Sequence, residues 1–209
     1  MRLIGEGARV AVLANAIDGA PADVRQQGAG AEVGALASLG LRSVELDLRR
    51  FFGAEPRDVR NELEQFAGLW VRGGNVFVLR CALGASGADA AICDLLAADR
   101  LVYAGYSAGP CVLAPSLDGL QEVDDVAGPQ EVYGVPALLD GLAVLDRPVV
   151  PHVDSPSHPE SAALDRLSRR YAEARIAHVR LRDGQALVVE GDQSMVVGRP
   201  ASVTELLYV

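Results

Sequence analysis

The chain has 209 residues, half of them hydrophobic, with 28 acidic against 19 basic side chains and a formal net charge of −9. That length suits a single domain with a sizeable core, and the acid excess, with no basic run anywhere, argues against nucleic acid or an anionic membrane as partner. The start of the chain has no basic-then-apolar leader pattern and no apolar run approaches a membrane span, so a cytoplasmic protein is expected. The three cysteines, Cys81, Cys93 and Cys111, form no C-x-x-C and read as reduced, buried, small apolar residues.

In chain order, the apolar run 8–14 predicts a strand, followed by a polar loop with Asp18-Gly19 and Pro21. Residues 22–39 predict a helix, because Val24, Ala31, Val33, Leu36 and Leu39 recur near helical spacing and Gly40 supplies a C-cap. The alternation over 41–48 predicts a second strand nearer the sheet edge. A short helix with an acidic outer face is expected over 56–66, and a third strand over 68–71 that ends in Arg72-Gly73-Gly74-Asn75. Helices follow over 76–83 and 88–98, then a fourth strand over 101–104.

Residues 116–145 are rich in Asp, Gly and Pro with weak periodicity, and read as a long surface excursion of the kind that forms lids. A fifth strand over 147–152 ends at His152. A helix over 157–174, a strand over 177–181, a hairpin of 185–190 and 194–197 around Gly191-Asp192, and a closing strand over 204–208 complete the chain. Strands alternating with helices predict an α/β fold: one domain over 1–209, its sheet mostly parallel and flanked by helices on both faces, with a C-terminal β-hairpin.

The fourth strand runs into Gly105-Tyr106-Ser107-Ala108-Gly109, which fits G-x-S-x-G, and the apolar Cys111-Val112-Leu113-Ala114 can start a helix behind it. Strand, sharp turn and helix are the context of a nucleophile elbow, where the serine sits in a strained conformation and its neighbours two residues away must lack bulk. The N–H of Ala108 then points where an oxyanion would form. In a parallel sheet the site lies at the carboxyl ends of the strands, which bear Gly73-Gly74-Asn75, Ser107 and His152.

Of three histidines, His152 stands at a strand end and is the favoured base; His158 reads as a surface or capping residue and His178 as a satisfied one. For the acid that orients the base, Asp183 is favoured by position, while Asp124, Asp125 and Glu122 lie in the long excursion and stay open. Gly74 offers a second oxyanion N–H beside Ala108. No phosphate-loop, dinucleotide or metal-ligand spacing occurs, so neither cofactor nor metal is implied.

Those same segments resemble a known family. Arg72-Gly73-Gly74-Asn75-Val76-Phe77-Val78-Leu79 resembles the G-G-G-N-T-F-x-L segment of the peptidase E family of serine peptidases (S51), and Gly105-Tyr106-Ser107-Ala108-Gly109-Pro110 its G-x-S-A-G-A segment. Val123-Asp124-Asp125 resembles the family's loop D-D, and Val150-Pro151-His152 its apolar-P-H segment, in the same order over nearly the whole chain. The resemblance implies a class I glutamine amidotransferase-like fold, cyanophycinases as distant relatives, and a Ser-His-Glu triad in which Asp183 stands where the glutamate would. It also implies that the loop aspartate, Asp124 or Asp125, matters for activity, and it makes a homodimer plausible.

Two departures bear on specificity. Arg72 replaces the first glycine of the triplet, and Ala162 stands where the enzymes that cleave after N-terminal aspartate carry an arginine; Arg166 or Arg72 could substitute. The resulting expectation is a serine peptidase, a dipeptidase or short-peptide hydrolase, acting on small peptide substrates. Two other readings stay open: an α/β-hydrolase-type esterase with the order Ser107, Asp124 or Asp125, His152, and a non-catalytic binding module on the same fold.

Overall fold

The computed structural model describes residues 4–198, and the chain divides after Asp146 into two compact units. In the first, β1 (Arg9–Leu13), β2 (Arg42–Glu45), β3 (Gly68–Val71) and β4 (Val102–Gly105) form a wholly parallel sheet in the order β2-β1-β3-β4. Four of the five residues of β1 are buried, which is why its sequence is an unbroken apolar run: a central parallel strand is covered on both faces. β2 alternates exposed and half-buried residues, the pattern of an edge.

Helix α1 (Ala22–Ser38) lays Leu36 and Val33 against Val10 and Val12 of the sheet, with Trp70 and Leu41 closing the cluster. α2 (Pro56–Leu63) ends three residues short of the expected 66. α3 (Val76–Ser86) buries every residue from Val76 to Leu83, so its apolar composition all round reflects a helix enclosed by its neighbours. It runs past the expected end at 83, because Gly84 stays helical and only Gly87, at φ +72°, takes the left-handed conformation that separates it from α4 (Ala88–Ala97).

The segment 116–145 is more ordered than its weak periodicity suggests. It holds a 3₁₀ turn at Leu120–Glu122 and a helix, labelled α6 (Gly128–Tyr133) because α5 (Ala108–Cys111) precedes it. Its base is closed by Leu117 N–H to Leu139 O (2.8 Å) and Leu142 N–H to Val112 O (2.8 Å). Short apolar and glycine-bounded pieces held by such contacts leave no long periodic signal in the sequence.

In the second unit, β5 (Val149–Val150) pairs in parallel with β6 (Val179–Arg180), and α7 (Ser161–Glu173) connects them. α7 starts four residues later than expected, after turns in which His158 N–H bonds Ser155 O and Ser161 N–H bonds His158 O. β7 (Gln185–Glu190) and β8 (Gln193–Gly198) form the expected antiparallel hairpin, with Gly191 at φ +58° in its turn. The closing strand expected at 204–208 lies outside the described residues. Cys81, Cys93 and Cys111 form no disulfide among the described residues, and no single helix there is long and apolar enough to cross a membrane.

Candidate active site

Register builds the site of the first unit. Leu13, Val71 and Gly105 lie side by side across β1, β3 and β4, so the residues that follow each of them leave the sheet at one rim. Arg72 and Tyr106 stay anchored there, through Arg72 N–H to Leu13 O (3.0 Å) and Tyr106 N–H to Val71 O (3.2 Å).

Ser107 has φ +53° and ψ −113°, a conformation that non-glycine residues seldom adopt. The glycines around it are there because nothing larger fits. A Cβ on Gly105 would sit 2.5 Å from Val71 O, one on Gly109 2.7 Å from the same oxygen, and one on Gly73 2.7 Å from Ser107 Cβ. The buried Tyr103 hydroxyl, its pKa pushed well up by desolvation, donates to Gly109 O (2.7 Å) and holds the far side of the turn. Ala108 is the first residue of α5, so its N–H has no acceptor within the helix. α5 is a single turn that ends at Cys111, where the sequence predicts that a helix starts, so a macrodipole adds little behind the serine.

Gly74 has φ +146°, and a Cβ there would meet Ala16 O at 2.6 Å. Most other N–H groups of this stretch are taken. Asn75 N–H donates to Ala16 O (2.9 Å), Val76 N–H to Asp124 Oδ2 (2.8 Å), and Phe77 and Val78 N–H to Asn75 Oδ1 (2.9 and 3.0 Å). Asn75 Nδ2 donates to Asp125 O (2.7 Å). Asn75 and Asp124 together cap α3 and fasten the 116–145 segment to it. Gly74 N–H is a donor this strand end leaves, since among the described residues it bonds to no protein acceptor.

In the second unit the structure brings His152 and Asp183 together. His152 Nδ1 lies 2.6 Å from Asp183 Oδ1, and among the described residues its buried Nε2 has no hydrogen-bond partner. With Nδ1–H donated to the carboxylate, Nε2 carries the lone pair. His152 (φ +55°) and Asp154 (φ +46°) are both left-handed, so the chain after β5 turns sharply. That turn is braced to the end of β6: Val153 N–H bonds Leu181 O (3.1 Å), and Ser155 Oγ accepts from Asp183 N–H (2.9 Å). His158 stacks flat on His152, ring centroids 3.6 Å apart. His178 is satisfied on both nitrogens, by Ser168 Oγ and Ile176 O, each at 2.9 Å.

Sequence reasoning missed several groups in the first unit. Arg25, with a side chain 9% exposed, donates to Asp18 (2.6 Å) and Glu45 (2.5 Å), while Arg49 pairs with Asp47 (2.6 Å). Tyr133 of α6 donates to Asp18 Oδ2 (2.5 Å), a second fastening of the 116–145 segment. Burial alone would raise the Asp47 pKa, but hydrogen bonds from Arg49 and the charges of Arg25 and Arg49 outweigh it and hold that carboxyl low. An ion network drawn from four separate segments has no local motif. A cavity of about 530 Å³ beside this network is lined by Ile17, Asp18, Gly74, Asn75, Asp125 and Glu131, among others, and no Arg or Lys lines it.

Arg72 lies at the rim with Nη1 donating to Gly73 O (2.7 Å) and Nε 3.6 Å from Glu32 Oε1. Tyr106 donates its hydroxyl to Glu32 Oε1 (2.7 Å), and burial, followed by that bond, pushes its pKa up to about 12.

Comparison with known proteins agrees with the fold. Residues 29–197 match the family model described as Peptidase family S51. The uncharacterized peptidases Lmo0363 of Listeria monocytogenes and Lin0382 of Listeria innocua are 31% and 32% identical to this chain over 121 and 122 residues, 58% of this chain in each case. The matches cover 55% and 54% of those proteins, so the chain spans about half the length of the curated relatives it matches. A crystal structure from Listeria monocytogenes EGD-e, of a protein provisionally designated peptidase E, superposes with a TM-score of 0.74 at 24% identity, covering 93% of this chain and 88% of that one. A peptidase from an acI-B1 Actinobacterium superposes at 0.60 with 16% identity, covering 91% and 74%.

Proposed function

The chain belongs to peptidase family S51, and from that premise we propose that it is a serine peptidase of dipeptides or other short peptides, with Ser107 as nucleophile, His152 as base and Asp183 as the acid that orients the base. The observation that carries this reading is the backbone of Ser107, held at φ +53° between glycines whose replacement would push a Cβ into Val71 O. Such strain is kept where surrounding packing fixes it, and a nucleophile elbow is a use for it.

In the proposed reaction Ser107 Oγ attacks the scissile carbonyl carbon and its proton passes to His152 Nε2. The C–N bond breaks as that proton is delivered to the leaving amine, and water releases the acyl group by the same path in reverse. Gly74 and Ala108 N–H groups receive the negative oxygen. Aspartate is a methylene shorter than the family's glutamate, yet a 2.6 Å contact to His152 Nδ1 supports its use in that place.

Asp124 is engaged as a cap and Asp125 Oδ1 accepts Ala127 N–H (2.9 Å), which removes support from the esterase order Ser107, Asp124 or Asp125, His152. A cavity edged by Gly74 and lined by Asp125 and Glu131, with Asp18 already paired to Arg25 and no cation in the lining, suits neutral or basic N-terminal residues better than aspartate. Arg72 is already committed to Gly73 O and Glu32.

A dipeptide library incubated with the wild type and with Ser107→Ala tests the reading. Hydrolysis by the first and none by the second is expected. Equal hydrolysis by both, or a folded wild type that cleaves nothing and resists a serine-reactive phosphonate, would return weight to the binding module.

A further inference from the structure

Outside the groups assigned a chemical step, one side chain touches both arms of the rim. Glu32, on α1, is 74 residues from the elbow in sequence, yet its Oε1 accepts the Tyr106 hydroxyl at 2.7 Å and its Oε2 accepts Trp70 Nε1–H at 2.8 Å. Arg72 Nε lies 3.6 Å from the same Oε1, and Arg72 Nη1 reaches Gly73 O at 2.7 Å. Tyr106 immediately precedes Ser107, and Gly73 immediately precedes Gly74. A Cβ on Gly73 would lie 3.0 Å from the Tyr106 ring, so the two turns are packed face to face. The Glu32 side chain is 16% exposed and its bond to Trp70 is part-buried, while Tyr106 reaches it from the surface at 37% exposure.

We infer that Glu32 is a positioning residue, clasping the elbow turn to the Gly73-Gly74 turn so that the serine hydroxyl and the two oxyanion N–H groups keep a fixed spacing. The inference rests on the serine-peptidase reading. Its physical basis is that both turns leave the sheet at the same register but on separate strands. The main-chain ladder ends with Tyr106 N–H to Val71 O (3.2 Å), and beyond it Glu32 accepts from the Tyr106 side chain and from Trp70 of β3 together. Because Glu32 presents two acceptor oxygens to two donors, an amide fits poorly: its NH₂ would face one of the donors.

The test compares Glu32→Ala, Glu32→Gln and Tyr106→Phe with the wild type in dipeptide hydrolysis and in Ser107 labelling by a phosphonate. A displacement approaching 1 Å between the turns lowers turnover by up to about 10²-fold. Glu32→Ala is therefore expected to lose about tenfold or more in kcat with KM little changed, and to slow labelling in parallel. Glu32→Gln should fall between alanine and wild type. The emission of Trp70, the single tryptophan, should shift in both Glu32 variants. Should Glu32→Ala fail to fold, Tyr106→Phe removes one bond while keeping the ring, and a several-fold loss in kcat is expected. An active wild type whose kcat is unchanged by Glu32→Ala and Tyr106→Phe, or a loss carried wholly by KM, overturns the clasp. A wild type that neither cleaves nor is labelled overturns the peptidase reading along with it.

Discussion

Gly105→Ala puts the elbow to the most direct geometric test. The new Cβ would lie 2.5 Å from Val71 O and 3.2 Å from Val71 Cβ, whereas ordinary contact begins near 3.4 Å. The oxygen is main chain, fixed in the sheet and already accepting Tyr106 N–H at 3.2 Å, so no side chain can swing aside. Either β4 moves off β3 by about 0.9 Å at this row, the difference between those distances, or the turn opens by as much. Overpacking of this kind costs about 1–3 kcal/mol of stability. A reacting group misplaced by about 1 Å loses about 10² in rate, or about 2.7 kcal/mol in the barrier. The expected variant is folded, melts several degrees lower, and hydrolyses dipeptides about a hundredfold more slowly. Gly30→Ala is the control. Nothing lies within 4 Å of its Cβ inside α1, so it should keep full activity and gain about 0.4–1 kcal/mol. Wild-type turnover in Gly105→Ala would refute the argument that the strained turn positions the nucleophile.

Three further outcomes are expected. Asp183→Ala removes the 2.6 Å contact to His152, and kcat should fall by about 10²–10⁴-fold; unchanged kcat would move the orienting role elsewhere. Asp124→Ala takes the cap from Val76 N–H and should lower stability by about 1 kcal/mol in a urea melt while hydrolysis persists; abolished turnover with unchanged stability would make Asp124 a chemical group. Asp47→Asn concerns acid stability. The folded carboxyl is held below its unfolded value of about 3.9, so its contribution is present above that pH and is lost as pH falls through the folded value. The variant should therefore be less stable than wild type at pH 7 and nearly equal to it at low pH; a gap that persists in acid would contradict the ion network.

What could be read in the sequence was what is local. β1, β3 and the elbow announce themselves because a buried parallel strand needs a continuous apolar run and the turn after it needs glycine. His152 and Asp183 were legible as strand-end residues among few alternatives, and the structure places them in contact. The Asn75-Asp124 cap was not legible, because it joins residues far apart whose letters equally suit a loop or a substrate pocket. Glu32 and Arg25 were hidden for a related reason: a charged residue on a helix looks solvated until the facing strand ends bring partners to it. The order within 116–145 came from contacts at its base and through Tyr133, none of which has a period.

The capping of α3 divides its first turn between two histories. Phe77 and Val78 are served by Asn75, two and three residues away, and their amides are satisfied as soon as the helix nucleates. Val76 waits for Asp124, 48 residues further along the chain, which leaves the ribosome only after α3 and α4 are complete. Adjacent amides on one helix thus keep different clocks. Hydrogen exchange at Phe77 and Val78 times the helix itself, and exchange at Val76 times the arrival, and any later departure, of the segment that walls the cavity.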